Sequence, residues 1–433
     1  MHQRSWNTRL AVGALVAISV LMPLLSGCTS TQVSSAVNGL VKTCYNGKCL
    51  TYKTWGKNID ALIQGQAVGY AYVILHNGVQ TQAINVFGQA RTAADPPATV
   101  MSFDEPFNIA SVTKTLTAAA VLRLLAAQQI NVNSSIAPYL PPNWLLGQGV
   151  SAITFAQLLT HTSGIQLPPN DTDGVSYTDL RALMGQNIDL SPTGYKQGCI
   201  NSYLQGKFAS CYQNTNFALF RIIIPYILGS ANPVPLLQGL PLFFLDPAND
   251  DATAQDYLSY MNSVYGSSFP ISCTPQGSPH MLDYRYPGTS SGSDAGDWEH
   301  ICGAGGIQLS VDQMAAFLSN LTSGDYIPTT SSADPYDPSS TTLFAMVKYM
   351  YGWDVRFPII GNGATYGTCV QKNGGLGVFL GPNNTNFLPY LTTLIVYCPQ
   401  TGLAFAGLAN SALGPSQTSW DNIVSSAYNA SWQ

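Results

Sequence analysis

Charge is scarce in this sequence. Acidic and basic side chains make up 9% of 433 residues, against about 25% in an ordinary soluble domain, so the surface must be built largely from Ser, Thr, Asn, Gln, Gly and Tyr. The formal net charge is −5 and no run of Lys and Arg occurs, which argues against nucleic acid as a partner. Histidine is sparse as well, with five scattered copies, and neither a CxxC pair nor an HExxH occurs. Nothing at metal-ligand spacing points to a metal, and no cofactor is expected. The apolar run that opens the chain, Leu10 to Leu25, contains Pro23 and falls short of the roughly 18–20 residues needed to cross a bilayer. No internal repeat is found.

What is present begins with that run. Arg4 and Arg9 precede it, the pattern of an export signal. Its end, Leu25-Ser26-Gly27-Cys28, resembles the bacterial lipoprotein box. The expected mature chain therefore starts at a lipidated Cys28 after loss of residues 1–27, and is held on a membrane through its lipid anchor. The location expected is the bacterial cell envelope, in the periplasm or at the outer membrane. Residues 28–59 read as a tether with a small cysteine hairpin.

Eight further cysteines agree with an oxidising compartment. Eight thiols allow 105 connectivities. In CYNGKC (44–49) the Asn46-Gly47 turn brings Cys44 to Cys49. The other pairs expected are Cys199 with Cys211, Cys273 with Cys302, and Cys369 with Cys398.

An apolar content of 46% over this length supports a large core. VGYAYVILHNGVQTQAINVFG (68–88) reads as a β-hairpin about Asn77-Gly78, and SVTKTLTAAAVLRLLAAQQI (111–130) as a helix. Short helical runs separated by Pro-, Gly- and Ser-rich loops occupy about 131–345, within which 230–300 yields no reading in detail. Strand patterns return in 367–375, 390–398 and 403–411, and SWDNIVSSAYNA closes the chain as a helix. The class expected is α+β, an α/β sandwich. Its antiparallel sheet is built from N- and C-terminal segments and flanked by helices, with an inserted, mainly helical region. This domain spans residues 60–430.

Within FNIASVTKTL (107–116) a lysine follows a serine by one helical turn in an apolar run. Residues i and i+3 are neighbours on a helix, so the Lys114 amine can reach the Ser111 hydroxyl. Burial and the helix N-terminus both lower a lysine pKa, which suits Lys114 to act as base or proton relay for a serine nucleophile. Ser-x-x-Lys alone is a weak signal. Its company strengthens it: ITFAQLLTHTSGI (153–165), YQNTNFALF (212–220), GAGGIQLSVDQMAAF (303–317), YGW (351–353) and QKNGG (371–375) follow in one order.

The series resembles the serine β-lactamase and penicillin-binding protein superfamily, in its branch of class C β-lactamases and D-alanyl-D-alanine carboxypeptidases. That resemblance implies Ser111 as nucleophile, Lys114 as its lysine, and Tyr212-Gln213-Asn214 as the tyrosine motif. Tyr212 would take the Ser111 proton as a phenolate stabilised by the flanking lysines, then pass it to the leaving group. Asn214 would orient Lys114 and bind the substrate amide. Lys372-Asn373-Gly374 matches the third motif, in which Lys372 would hold a substrate carboxylate. The N–H groups of Ser111 and Gly375 would form the oxyanion hole. Two departures stand out: Asn373 replaces the Thr or Ser of true β-lactamases, and Leu376-Gly377-Val378 replaces a proline-containing turn.

Other tempting residues read as structural. His161 is expected to hydrogen-bond backbone at a helix end, Gly303–Gly306 to form a packing turn, and Tyr349, Tyr351 and Trp353 to pack the core. The function expected is an extracytoplasmic serine hydrolase acting through a Ser111 acyl-enzyme on a small-molecule or peptide substrate. D-amino-acid peptidase, esterase and β-lactamase types are all within reach, and Asn373 favours the first two. The alternative is a non-catalytic envelope lipoprotein that uses the fold to bind peptidoglycan peptide or a protein partner.

Overall fold

Both Asn-Gly turns form where the sequence places them in a computed structural model that describes residues 42–165, 175–188, 212–231, 250–323, 342–361, 364–380, 386–414 and 419–433. The leader, Cys28, the tether up to residue 41 and the Cys199–Cys211 pair lie outside the described residues. Strands β1 (Lys42–Tyr45) and β2 (Lys48–Thr51) pair with Cys44 opposite Cys49, and those two sulfurs are bonded. Helix α1 (Tyr52–Ile63) follows, its first turn capped by the Thr51 hydroxyl, which accepts from Thr54 N–H at 3.2 Å. Apolar Tyr52, Trp55, Ile59 and Ile63 recur at helical spacing and are all buried.

The second turn joins β3 (Gly69–His76) to β4 (Val79–Arg91), and β5 (Thr99–Val100) pairs with β4. Next come β6 (Phe107–Asn108), helix α2 (Thr113–Ala127), and the short helices α3 (Phe155–Leu159) and α4 (Tyr177–Met184). Longer helices α5 (Asn214–Ala231) and α6 (Asp250–Tyr265) lead to β7 (Gln308–Leu309), α7 (Val311–Ser323) and α8 (Thr342–Tyr349). The chain ends with β8 (Val355–Gly361), β9 (Ala364–Leu380), β10 (Asn386–Cys398), β11 (Leu403–Ala409) and helix α9 (Trp420–Ala430).

Seven strands form one antiparallel sheet in the order β5-β4-β3-β11-β10-β9-β8. Its N- and C-terminal parts meet where β11 pairs with β3, from Leu403 opposite His76 to Ala409 opposite Tyr70. Side chains alternate across a strand, and here the two faces carry different sizes. Tyr70, Tyr72, Ile74, Leu403 and Phe405 point to the layer of α1 and α9, where the Trp55 and Tyr428 rings meet edge-on at 5.0 Å. Ala71, Val73, Ala404 and Ala406 point the other way, into the larger core that holds α2 and α7. Small side chains let α7 lie close on β3 and β11. The fold is thus an α/β sandwich with helices on both faces.

Two expected disulfides are present, Cys273–Cys302 and Cys369–Cys398, the latter between neighbouring strands β9 and β10. The predicted helix 111–130 opens as a 3₁₀ turn, Ala110–Val112, and its α-helical part stops at Ala127.

Candidate active site

The approach to Ser111 is held on two sides. β6 pairs with β7, and Ile109 N–H donates to the Ile307 carbonyl at 2.9 Å. Asn108 Oδ1 accepts from Ala110 N–H at 2.8 Å, and Ala110 sits at φ 48°, a left-handed value that costs a non-glycine residue about 1–2 kcal/mol. The chain then turns into α2, which sets Ser111 at the helix head and Lys114 in its first turn.

β9 presses on the same turn. A Cβ on Gly374 would stand 2.1 Å from Thr393 Oγ1 and 2.5 Å from the Ile109 carbonyl oxygen, so only glycine permits this approach. Thr393 Oγ1 in turn donates to that carbonyl at 2.8 Å. Gly374 therefore lies against Ile109 and Ala110, one residue ahead of Gly375 and Ser111 in their respective segments.

The loop after Cys302 is drawn onto α2 by threonines. Thr117 Oγ1 donates to the Gly303 carbonyl at 2.8 Å, and Thr113 Oγ1 accepts from Ile307 N–H at 3.2 Å. Between them the Ala304 carbonyl accepts from Lys114 Nζ. Lys114 is fully buried, and its amine also lies 2.8 Å from Asn214 Oδ1 and 3.0 Å from Ser111 Oγ. Tyr212, just ahead of α5, donates its hydroxyl to Ser111 Oγ at 2.6 Å. Lys372 on β9 reaches the Tyr212 hydroxyl at 3.4 Å and lies 4.6 Å from the centre of its ring. Ser111, Lys114, Tyr212, Asn214 and Lys372, more than 250 positions apart at the extremes, thus form one connected group.

Electrostatics bias the protonation states. Burial, then the Lys372 charge, hold the Lys114 amine well below the usual lysine range, while Asp354 partly opposes them. Burial and then the Asp354 carboxylate push Tyr212 well above the usual phenol range. A neutral amine has two N–H donors and one lone pair. The Ala304 carbonyl and Asn214 Oδ1 take the donors, which leaves the lone pair to the Ser111 hydroxyl. Tyr212 in its neutral form keeps a proton to give. This arrangement favours Lys114, rather than a Tyr212 phenolate, as acceptor of the serine proton.

Asp354 is the group that sequence reasoning missed. Its carboxylate forms an ion pair with the Lys372 ammonium. Its second oxygen accepts from Asn373 N–H at 3.4 Å, and its own N–H donates to the Gln371 carbonyl at 3.0 Å. The residues before it are anchored on α2 and α3: Gly352 N–H donates to Leu159 O at 3.2 Å and the Gly352 carbonyl accepts from Thr115 Oγ1 at 2.8 Å. Tyr351 and Trp353 are buried, as expected for core packing. A carboxylate next to Tyr-Gly-Trp in so uncharged a chain was the available signal. Asn373 Oδ1 is buried and has no hydrogen-bond partner among the described residues.

His161 ends α3 at φ 56° and accepts a backbone hydrogen bond, but from Gln213, at 3.2 Å on Nδ1. Its ring also stacks on Tyr212, centroids 4.4 Å apart, a contact the sequence did not suggest. Burial, with the Lys372 and Lys114 charges, holds its pKa well below the usual histidine range. A neutral imidazole accepting on Nδ1 carries its proton on Nε2.

The Beta-lactamase family model matches residues 55–229, a span that contains Ser111, Lys114, Tyr212 and Asn214. No curated protein sequence matches the chain. Among solved structures, FmtA from Staphylococcus aureus is similar at 15% identity and a TM-score of 0.57, over 93% of this chain and 94% of that one. A β-lactamase/D-alanine carboxypeptidase from Pseudomonas syringae is similar at 14% identity and 0.55, over 87% and 98%. A D-stereospecific amidohydrolase from Streptomyces sp. is similar at 16% identity and 0.51, over 87% and 98%. At these identities the likeness establishes the fold.

Proposed function

As the chain belongs to the serine β-lactamase and penicillin-binding protein superfamily, we propose that it is a serine hydrolase that cleaves an amide or ester through a Ser111 acyl-enzyme. The observation that carries this reading is the setting of Ser111 Oγ, 3.0 Å from Lys114 Nζ and 2.6 Å from the Tyr212 hydroxyl. A serine held between a neutral amine and a neutral phenol has a proton acceptor on one side and a donor on the other.

In the forward step Ser111 Oγ attacks the substrate carbonyl carbon while its proton moves to Lys114 Nζ. Negative charge develops on the carbonyl oxygen, where the N–H groups of Ser111 and Gly375 are the donors assigned. One such donor is worth about 3–4 kcal/mol of transition-state stabilisation. The bond to the leaving group then breaks, and the departing nitrogen or oxygen takes the Tyr212 proton. Lys114 gives its extra proton back to Tyr212 through the hydrogen-bonded network. Water attacks the acyl-enzyme in the mirror sequence, releasing the acid and restoring Ser111. Positioned proton transfer of this kind contributes about 10²–10⁴ in rate.

The leader and Cys28 add a location to this proposal: the catalytic domain works outside the cytoplasm on a lipid anchor. The test of the reaction is a rapid-mixing assay with a 4-nitrophenyl ester. A burst of one equivalent of 4-nitrophenol, lost in Ser111→Ala, is expected of an acyl-enzyme. Turnover that survives Ser111→Ala would remove Ser111 as the nucleophile, and no reaction of any kind would return the protein to the non-catalytic alternative.

A further inference from the structure

We propose that Asp354 occupies the anion-binding capacity of Lys372, so that the site selects acyl donors whose leaving side carries no free carboxylate. This inference rests on the serine hydrolase reading and narrows its substrate class to neutral esters and amides. It replaces the expectation that Lys372 anchors a substrate carboxylate.

Lys372 is the cation of the third motif, yet it is already paired. Its side chain is 1% exposed and that of Asp354 15%, so the ion pair is shielded from water. Three contacts hold the carboxylate in place: the Lys372 ammonium, Asn373 N–H, and the backbone bond from Asp354 N–H to Gln371. Lys372 directs another N–H to the Tyr212 hydroxyl. A substrate carboxylate drawn to this ammonium would come to rest beside Asp354, and like charges at that range in a partly buried site repel.

Among the described residues, no other group at the site replaces the lost positive charge. Lys114 is committed to Ala304 and Asn214, and burial holds both it and His161 towards their neutral forms. Lys372 with Asp354 is neutral as a pair, and Tyr212 is neutral. The described residues of the site therefore offer an incoming anion no net attraction, whereas an uncharged ester or carboxamide meets no penalty.

A matched pair of substrates tests this on the purified full chain: the N-acetyl-D-alanyl ester of D-lactate and that of D-lactamide, which differ only in carboxylate against carboxamide. Each kcat/KM is divided by the ester's hydroxide-catalysed rate to remove intrinsic reactivity. The wild type should favour the lactamide ester by about tenfold or more, and Asp354→Asn should shrink that preference by about the same factor. A change in the ratio is a readout that a general loss of structure does not produce. If Asp354→Asn fails to fold, the wild-type ratio decides alone. Equal rates, preference for the lactate ester, or a ratio unmoved in a folded Asp354→Asn protein overturn the inference and leave the hydrolase reading standing. Failure to cleave either ester, with no labelling of Ser111 by a fluorophosphonate, overturns both together.

Discussion

Lys114 Nζ stands 3.0 Å from Ser111 Oγ, with two of its N–H groups taken up by the Ala304 carbonyl and Asn214 Oδ1. In the proposed reaction that geometry suits the lysine to receive one proton from one hydroxyl. It also explains why an amine is buried at the head of an apolar helix.

Removal of the amine should therefore stop acylation without unfolding the protein. Lys114→Ala is expected to slow the burst by about 10²–10⁴-fold. Lys114→Arg should be as slow, because a guanidinium stays protonated and has no lone pair to offer. Stopped-flow traces with a 4-nitrophenyl ester check both, and a rapid burst in Lys114→Arg would remove the amine from the role of base.

The pH dependence has a definite sign. Acylation requires neutral Lys114, so its rate should rise with pH through a limb placed well below 10.5, because burial and the Lys372 charge lower that pKa. Asp354 opposes the shift, Tyr212 and His161 face the same space in neutral form, and Lys372 is the charge that favours deprotonation. Lys372→Met removes that charge and leaves the Asp354 carboxylate unpaired. Both changes raise the Lys114 pKa, so the acid limb should move to higher pH. A limb that stays in place or moves down in the folded variant contradicts the assignment.

Tyr212 should matter in proportion to the leaving group's need for a proton. With an amide, Tyr212→Phe is expected to lower acylation by about 10²-fold or more, whereas a 4-nitrophenyl ester, whose leaving group departs as an anion, should lose less than about tenfold. Equal losses on both substrates would instead make Tyr212 the base that activates Ser111.

Gly374 allows β9 to lie against the turn that leads into Ser111. Gly374→Ala places a methyl within 2.5 Å of the Ile109 carbonyl oxygen, and strand and turn must separate. Such overpacking costs about 1–3 kcal/mol. Thermal unfolding should show the stability loss, and the burst rate should fall with it. An unchanged burst rate would mean that this contact does not position Ser111.

Much of this arrangement was legible in the sequence, for physical reasons. The hairpins at Asn46-Gly47 and Asn77-Gly78 are set by local turn chemistry, and the alternation along β3 and β11 is set by burial on two faces. Ser111 and Lys114 were visible because helical spacing brings them together and five further segments follow them in one order. Asp354 was not, since its partner Lys372 is reached only after the chain turns from β8 into β9 and the two strands pair. The Ala304 carbonyl and the His161 stack on Tyr212 were hidden for the same reason: backbone acceptors and long-range ring contacts leave no mark in local composition.

Ser111 as an activated nucleophile is tested most directly by the intact mass of the full chain after exposure to a fluorophosphonate, followed by peptide mapping. One adduct on Ser111 is predicted, formed faster as pH rises through the Lys114 limb and absent from Ser111→Ala. No adduct, or one that persists in Ser111→Ala, would contradict it.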